Sequence, residues 1–236
     1  MKYRFAIKKT LLGIKWLRRK FLVHDDFGKC SCNVDIENPC YINSAKSVFV
    51  DANVKLRHNL TIINAPTEKV TIKQYSVLAP YVTIITNNHR STVGIPHSLL
   101  VDSHINDKST DVTINEDVWI GTRAIIMPGI TLGRGCIVSA GALVTHSVPP
   151  YALVVGSPAK IVKHIFSIEQ IIEHESVLYP PEQRFSRSDL EMIFENYFKE
   201  VDTYGIKTCL TKEEKERIVD IKKRSHFVDW MNFSNH

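Results

Sequence analysis

The sequence predicts a mainly β solenoid, with the chain wound as a three-sided parallel coil. Three observations predict it. First, an aliphatic residue returns every six positions from Ile114 through Ile120, Ile126, Leu132, Val138 and Val144. Second, a mostly small or β-branched residue follows each one four places on: Val118, Ala124, Ile130, Cys136, Ala142 and Val148. Third, a period of six suits neither the 3.6-residue helix nor the two-residue alternation of a half-exposed strand. It suits a coil in which each hexad is a short strand plus a corner. Three hexads then close one turn, and turns stack at the ~4.8 Å spacing of hydrogen-bonded strands. The aliphatic residue points into the prism, and the tight second position takes Ala, Cys or Val. An antiparallel sandwich would need alternating runs broken by turns every 8–12 residues, and these are absent.

Upstream, the same phase gives Ile42, Val48, Val54, Leu60, Pro66, Ile72, Leu78 and Ile84, with His58 and Asn64 in the small slot. Fourteen hexads make between four and five turns. Between Ile84 and Ile114 the pattern lapses for 30 residues, five hexads' worth, so the phase survives. The segment Thr86-Asn-Asn-His-Arg-Ser-Thr-Val-Gly-Ile-Pro96 is polar and turn-rich, and predicts a loop extruded over residues 86–112.

Both ends differ from this centre. Residues 1–24 carry eight Lys/Arg and no acid, residues 25–164 are near neutral at +1, and residues 165–236 hold −4. The net charge of +5 therefore reports one basic arm rather than a basic surface. No RNP, zinc-finger or phosphate-loop pattern points to nucleic acid. In residues 3–22, Tyr3, Ile7, Leu11, Ile14, Leu17 and Phe21 fall at helical spacing among Lys and Arg. Such a helix either lies on an anionic membrane surface or caps the open end of the solenoid. After Lys163 the chain reads as helical: Ile165–Leu178, then Ser188–Tyr204 opened by a Ser188–Glu191 capping box, then a helix opened by Thr211–Glu214. The organisation expected is an amphipathic helix at 1–24, a solenoid at 25–164 and a helical extension at 165–236.

No run of about 18 apolar residues marks a membrane span, and the N-terminus lacks a signal-peptide pattern, so a cytoplasmic setting is expected. Cys30, Cys32, Cys40, Cys136 and Cys209 are odd in number and match no zinc spacing, which favours free thiols.

Three segments carry a resemblance: Asn115-Glu-Asp-Val-Trp-Ile-Gly121, Met127-Pro-Gly-Ile-Thr131, and Val148-Pro-Pro through Gly156-Ser-Pro-Ala-Lys160. With the hexads, they resemble the hexapeptide-repeat acyltransferase superfamily over residues 40–164, and most of all its galactoside, maltose, xenobiotic and surface-polysaccharide acetyltransferases. The resemblance implies a left-handed parallel β-helix, a hand that composition alone does not give. It also implies a homotrimer with sites in the clefts between copies, and acetyl-CoA as co-substrate without a metal. His89, at the start of the extruded loop, becomes the general base, an imidazole being largely neutral near pH 7. Thr122 lies near the developing oxyanion through its N–H or hydroxyl. By the same resemblance, Trp119, Thr122, Ala140 and Thr145 are expected to line the pantetheine groove, and Lys160, with Lys163 beside it, to face the phosphates. His97 and His104 match no family position and are expected on the surface or the acceptor side.

The function so implied is O-acetylation of a sugar hydroxyl, in a cell-surface polysaccharide or its precursor. The alternatives are acetylation of an antibiotic hydroxyl, suggested by Asn88-His89-Arg90, and N-acetylation of a nucleotide-linked amino sugar. Zinc-dependent carbonic anhydrase chemistry needs three wall histidines, whereas the repeat offers His58 and, near its end, His146. A degenerate, non-catalytic scaffold is disfavoured by the family matches at His89, Trp119 and Lys160.

Overall fold

The computed structural model describes residues 21–206 and 210–229; the amphipathic-helix reading of residues 3–22 lies almost wholly outside them. From Lys29 onward the chain winds through five complete coils whose short strands stack in parallel into three walls. In wall A, Cys30, Val50, Ile72, Ile114 and Leu132 sit in register. Wall B aligns Ile36, Leu56, Leu78, Ile120, Val138 and Val154. Wall C aligns Ile42, Ile62, Ile84, Ile126 and Val144. Almost all of these side chains are shut off from solvent in one continuous core. A column of stacked aliphatics suits short β-branched strands and removes apolar area from water along the full length of the prism.

The six-residue phase holds from Ile72 to Val144, but it slips between Ile42 and Ile72. There the strand residues are Val50, Leu56 and Ile62, whereas Val54 and Leu60 occupy the second inward slot beneath Ser76 and Val82. Val48 opens its strand opposite Val70, and Pro66 lies in a loop. The cause is two insertions. The 3₁₀ turn Ala45–Ser47 adds two residues to the step from Ile42 to Val50, and the loop after Ile63 adds four to the step from Ile62 to Ile72. Together they amount to one hexad, so the count comes back into phase and hides the slip.

Corners demand a left-handed residue. At the corner between walls B and C, Asn59, Tyr81, Arg123 and Gly141 all have φ of 60–70°, and only Gly adopts this freely. Coils are also close: a Cβ on Gly121 would lie 2.5 Å from the Ala140 N. After the last full coil, Ala152–Val155 extends wall B, and Lys160–His164 folds back antiparallel on it.

The extension then forms helices α2 (Ile168–Leu178), α3 (Arg187–Tyr197) and α4 (Lys212–Arg224), following α1 (His97–Ser103) in the extruded loop. Helix α3 starts earlier than its sequence suggests. Ser186, not Ser188, is the N-cap, and Asp189 completes its box. The helix also stops at Tyr197 rather than running to Tyr204. Thr211 and Glu214 do cap α4 as read.

A buried ionic cluster pins the extension to the corner between walls A and B. Arg134 lies 3.1 Å from Glu116 and 3.0 Å from Glu175, and Tyr151 donates to Glu175 at 2.9 Å. Burial opposes the Glu116 charge, but its backbone N–H, Arg134 and Lys73 outweigh this and hold its carboxyl below the ordinary glutamate range. At the same corner Phe227 stacks on Tyr75 and Asn53 binds the Val228 carbonyl. The tail thus covers the A/B corner, and Phe194 and Phe198 of the extension also pack against the prism core.

Cys30, Cys32, Cys40 and Cys136 are free thiols. Burial pushes Cys30 and Cys40 up to about 11, so neither is an activated nucleophile.

Candidate active site

The extruded loop leaves the prism at the corner between walls C and A. Ile85 ends a wall C strand and Val112 begins a wall A strand. Thr86 donates its N–H to the Ile63 carbonyl in the coil below, and Thr110 donates to Thr86, so the neck of the loop is tied down. Above the neck, Asn87–Asn88 pairs antiparallel with Lys108–Ser109, Asn88 facing Lys108. This short ladder sets the next two residues, His89 and Asp107, across from each other.

His89 Nδ1 lies 2.9 Å from Asp107 Oδ1, and His104 Nδ1 lies 2.8 Å from Asp107 Oδ2. Hydrogen bonding from His104, then from His89, holds the Asp107 carboxyl below the usual aspartate range against its partial desolvation. An ionised carboxylate only accepts, so each Nδ1 carries the proton and, in the neutral ring, Nε2 presents a lone pair. The imidazole of His89 is one-third exposed, whereas Asp107 is mostly covered at 12%. A base held from behind by a carboxylate and open in front is built to take a proton from a bound hydroxyl or amine. The His89, His104 and Asp107 ligand atoms all lie within 4.8 Å of one another, so the same trio could also hold a metal ion.

Of the remaining sequence-predicted residues, all but Thr145 lie on other faces. Trp119 stands on wall B between Val77 and Ile137, with over half of its surface exposed. Thr122 and Ala140 stack one coil apart at the B/C corner, where the Thr122 carbonyl accepts from the Gly141 N–H at 2.8 Å. Among the described residues nothing takes the Thr122 N–H or hydroxyl. Thr145 lies past wall C at the C/A corner, its hydroxyl 3.0 Å from His146 Nδ1. Lys160 is exposed at the start of the fold-back strand, beside Ala159, whose N–H binds the Leu143 carbonyl. Thr145 therefore shares a corner with the His89 loop, whereas Thr122 and Ala140 sit at the far end of wall C and Trp119 lies beyond them. One protomer does not by itself gather all six.

Two residues at the site escaped the sequence reading. Asp107 carried no signal of its own, since its partnership with His89 depends on the hairpin register. His104, read as surface or acceptor-side, sits on the same carboxylate. The only available hint was the three-residue spacing between His104 and Asp107.

Comparison with known proteins settles the class. Residues 111–146 match the family model described as bacterial transferase hexapeptide (six repeats). Galactoside O-acetyltransferase of Escherichia coli K12 is 30% identical over 148 residues, spanning 63% of this chain and 69% of that protein. The chain belongs to the hexapeptide-repeat acetyltransferases. A chloramphenicol acetyltransferase of Morganella morganii is 50% identical over 64 residues, 27% of this chain and 30% of its own. Among solved structures, a galactoside acetyltransferase in complex with coenzyme A aligns with a TM-score of 0.53 at 26% identity, covering 68% of this chain and 73% of that one. A maltose O-acetyltransferase from Clostridium difficile 630 aligns at 0.52 and 29% identity, covering 61% and 72%. Membership of this acetyltransferase family makes the protein an enzyme and its prism the left-handed parallel β-helix.

Proposed function

We propose that this acetyltransferase uses acetyl-CoA to acetylate a sugar hydroxyl, in a surface polysaccharide or its precursor, with His89 as general base. The observation that carries the proposal is the 2.9 Å contact from His89 Nδ1 to Asp107, which leaves Nε2 as the proton acceptor. Acetyl-CoA supplies the activated acyl group. His89 Nε2 takes the acceptor hydroxyl proton as the oxygen attacks the thioester carbonyl, Thr122 donates to the resulting oxyanion, and His89 returns the proton to the departing thiolate. No acyl-enzyme forms in this sequence.

The residues at hand suit the cofactor. The B/C corner offers the Thr122 donors, and a Cβ placed on Gly141 would meet nothing within 4 Å, so backbone is open to a thin amide chain. Trp119 gives an exposed aromatic face nearby, and Lys160 gives a point charge for phosphate. Because the His89 loop and the B/C corner flank opposite ends of wall C, the complete site requires a second copy, and a homotrimer is the proposed assembly. Exposed Tyr41 and Ile125 on wall C, and Leu99 and Val101 on α1, are apolar surface consistent with such a neighbour. The cytoplasm, where acetyl-CoA is available, is the proposed setting.

Two measurements test this reading. Coenzyme A release is followed with a panel of sugars and antibiotics; turnover with sugars alone is expected, and turnover confined to antibiotics would replace the acceptor class. Coenzyme A is titrated against Thr145→Tyr, which is expected to lose affinity by tenfold or more. Unchanged affinity would move the groove elsewhere.

A further inference from the structure

The second imidazole on Asp107 is not needed to orient His89, since one carboxylate oxygen suffices for that. Yet His104 is firmly placed. It ends α1 in the left-handed conformation at φ 53°, with its N–H on the Leu100 carbonyl at 2.9 Å. Its Nδ1 then meets the Asp107 oxygen that His89 leaves free. The two rings stand 5.5 Å apart, tilted by 41°. Two imidazoles and a carboxylate from the two sides of one loop, with all three ligand atoms within 4.8 Å, match the donor set of a borderline divalent ion such as zinc. Zinc-bound nitrogen and oxygen lie about 2.0–2.1 Å from the metal. Tetrahedral ligands at that radius sit roughly 3.3 Å apart, so the 2.8–2.9 Å contacts to the carboxylate would open slightly while the widest separation, within 4.8 Å, would close.

We propose that His89, His104 and Asp107 form an inhibitory zinc site. The inhibition follows from the ring tautomer and rests on the reading of His89 as base. Zinc takes the Nδ1 lone pair of each imidazole, and the ring proton formerly on Nδ1 moves to Nε2. His89 Nε2 then carries a proton and cannot accept one from the acceptor. No proton is lost overall and no redox step is involved. A fourth ligand would be water, both imidazoles being partly exposed to solvent. His104 supplies a ligand but touches no reacting atom, so its removal weakens the ion's hold without removing the base.

The test uses the full-length enzyme, stripped with a chelator, with zinc as the probe. Zinc binding is measured by competition with a chromophoric chelator and, separately, as inhibition of coenzyme A release. The wild type is expected to bind one zinc per chain and to lose turnover as it fills. His104→Ala is expected to bind zinc at least tenfold more weakly and, measured against its own zinc-free turnover, to shift half-inhibition upward by the same factor. Equal zinc affinity in the two proteins overturns the site. Stoichiometric, His104-dependent binding with undiminished turnover upholds the ligands but overturns the inhibition, and with it the assignment of His89 as base.

Discussion

Asp107 binds His89 through one carboxylate oxygen and His104 through the other, at 2.9 and 2.8 Å, and so joins the outgoing and returning limbs of the extruded loop. Asp107 therefore acts as a positioning residue, fixing the tautomer and aim of His89. Replacing it by Asn removes the negative charge that selects the Nδ1–H form. Asp107→Asn is expected to lower kcat at least about tenfold, a part of the 10²–10⁴ that general-base catalysis contributes. The coenzyme A KM and the thermal midpoint should stay close to wild type. A matching fall in stability would mean that the residue serves only to hold the loop.

Gly121 is required by the stacking of coils rather than by its own dihedral angles. An added methyl would meet the Ser139 carbonyl carbon and the Ala140 N at 2.8 and 2.5 Å, both backbone atoms that cannot turn aside. Gly121→Ala is expected to cost about 1–3 kcal/mol, the usual range for forcing a carbon into a packed site. A urea midpoint reads this directly. Because Ala140 lies in the proposed groove, coenzyme A affinity should fall as well.

Much of this architecture was legible in the residues. The column from Ile72 to Val144 is written in an aliphatic spacing that one physical demand imposes, the stacking of identical inward positions. The stretch from Val48 to Pro66 misled because two insertions, at Ala45–Ser47 and after Ile63, sum to one repeat and cancel in the count. At the site, His89 was reached through family resemblance. Asp107 was not, because a cross-strand partner is set by hairpin register, which a lone sequence leaves open.

The Arg134 cluster gives the C-terminal extension its anchor. Glu175 is almost wholly buried, and removing Arg134 would strand it, as well as Glu116, without a guanidinium. Breaking a buried ion pair in this way costs about 3–5 kcal/mol. Arg134→Ala is therefore expected to lower the unfolding midpoint sharply, or to release the extension to proteolysis while the prism stays folded.

The same cluster makes stability depend on pH. The folded state holds the Glu116 carboxyl below its unfolded value, so the stabilisation is present above the unfolded pKa, about 4.3, and is lost as pH falls through the folded one. Comparing urea midpoints at pH 7 and in acid, the gap between wild type and Glu116→Gln should be full at pH 7 and should narrow as the carboxyl protonates. A gap that widened in acid would reverse the sign of this interaction.

The account depends most on the His89 imidazole of the extruded loop. The decisive measurement is steady-state turnover of His89→Ala alongside coenzyme A binding to the same protein. The expected result is a kcat lowered by about 10²-fold or more, with coenzyme A affinity within threefold of wild type. Turnover close to wild type would contradict the account.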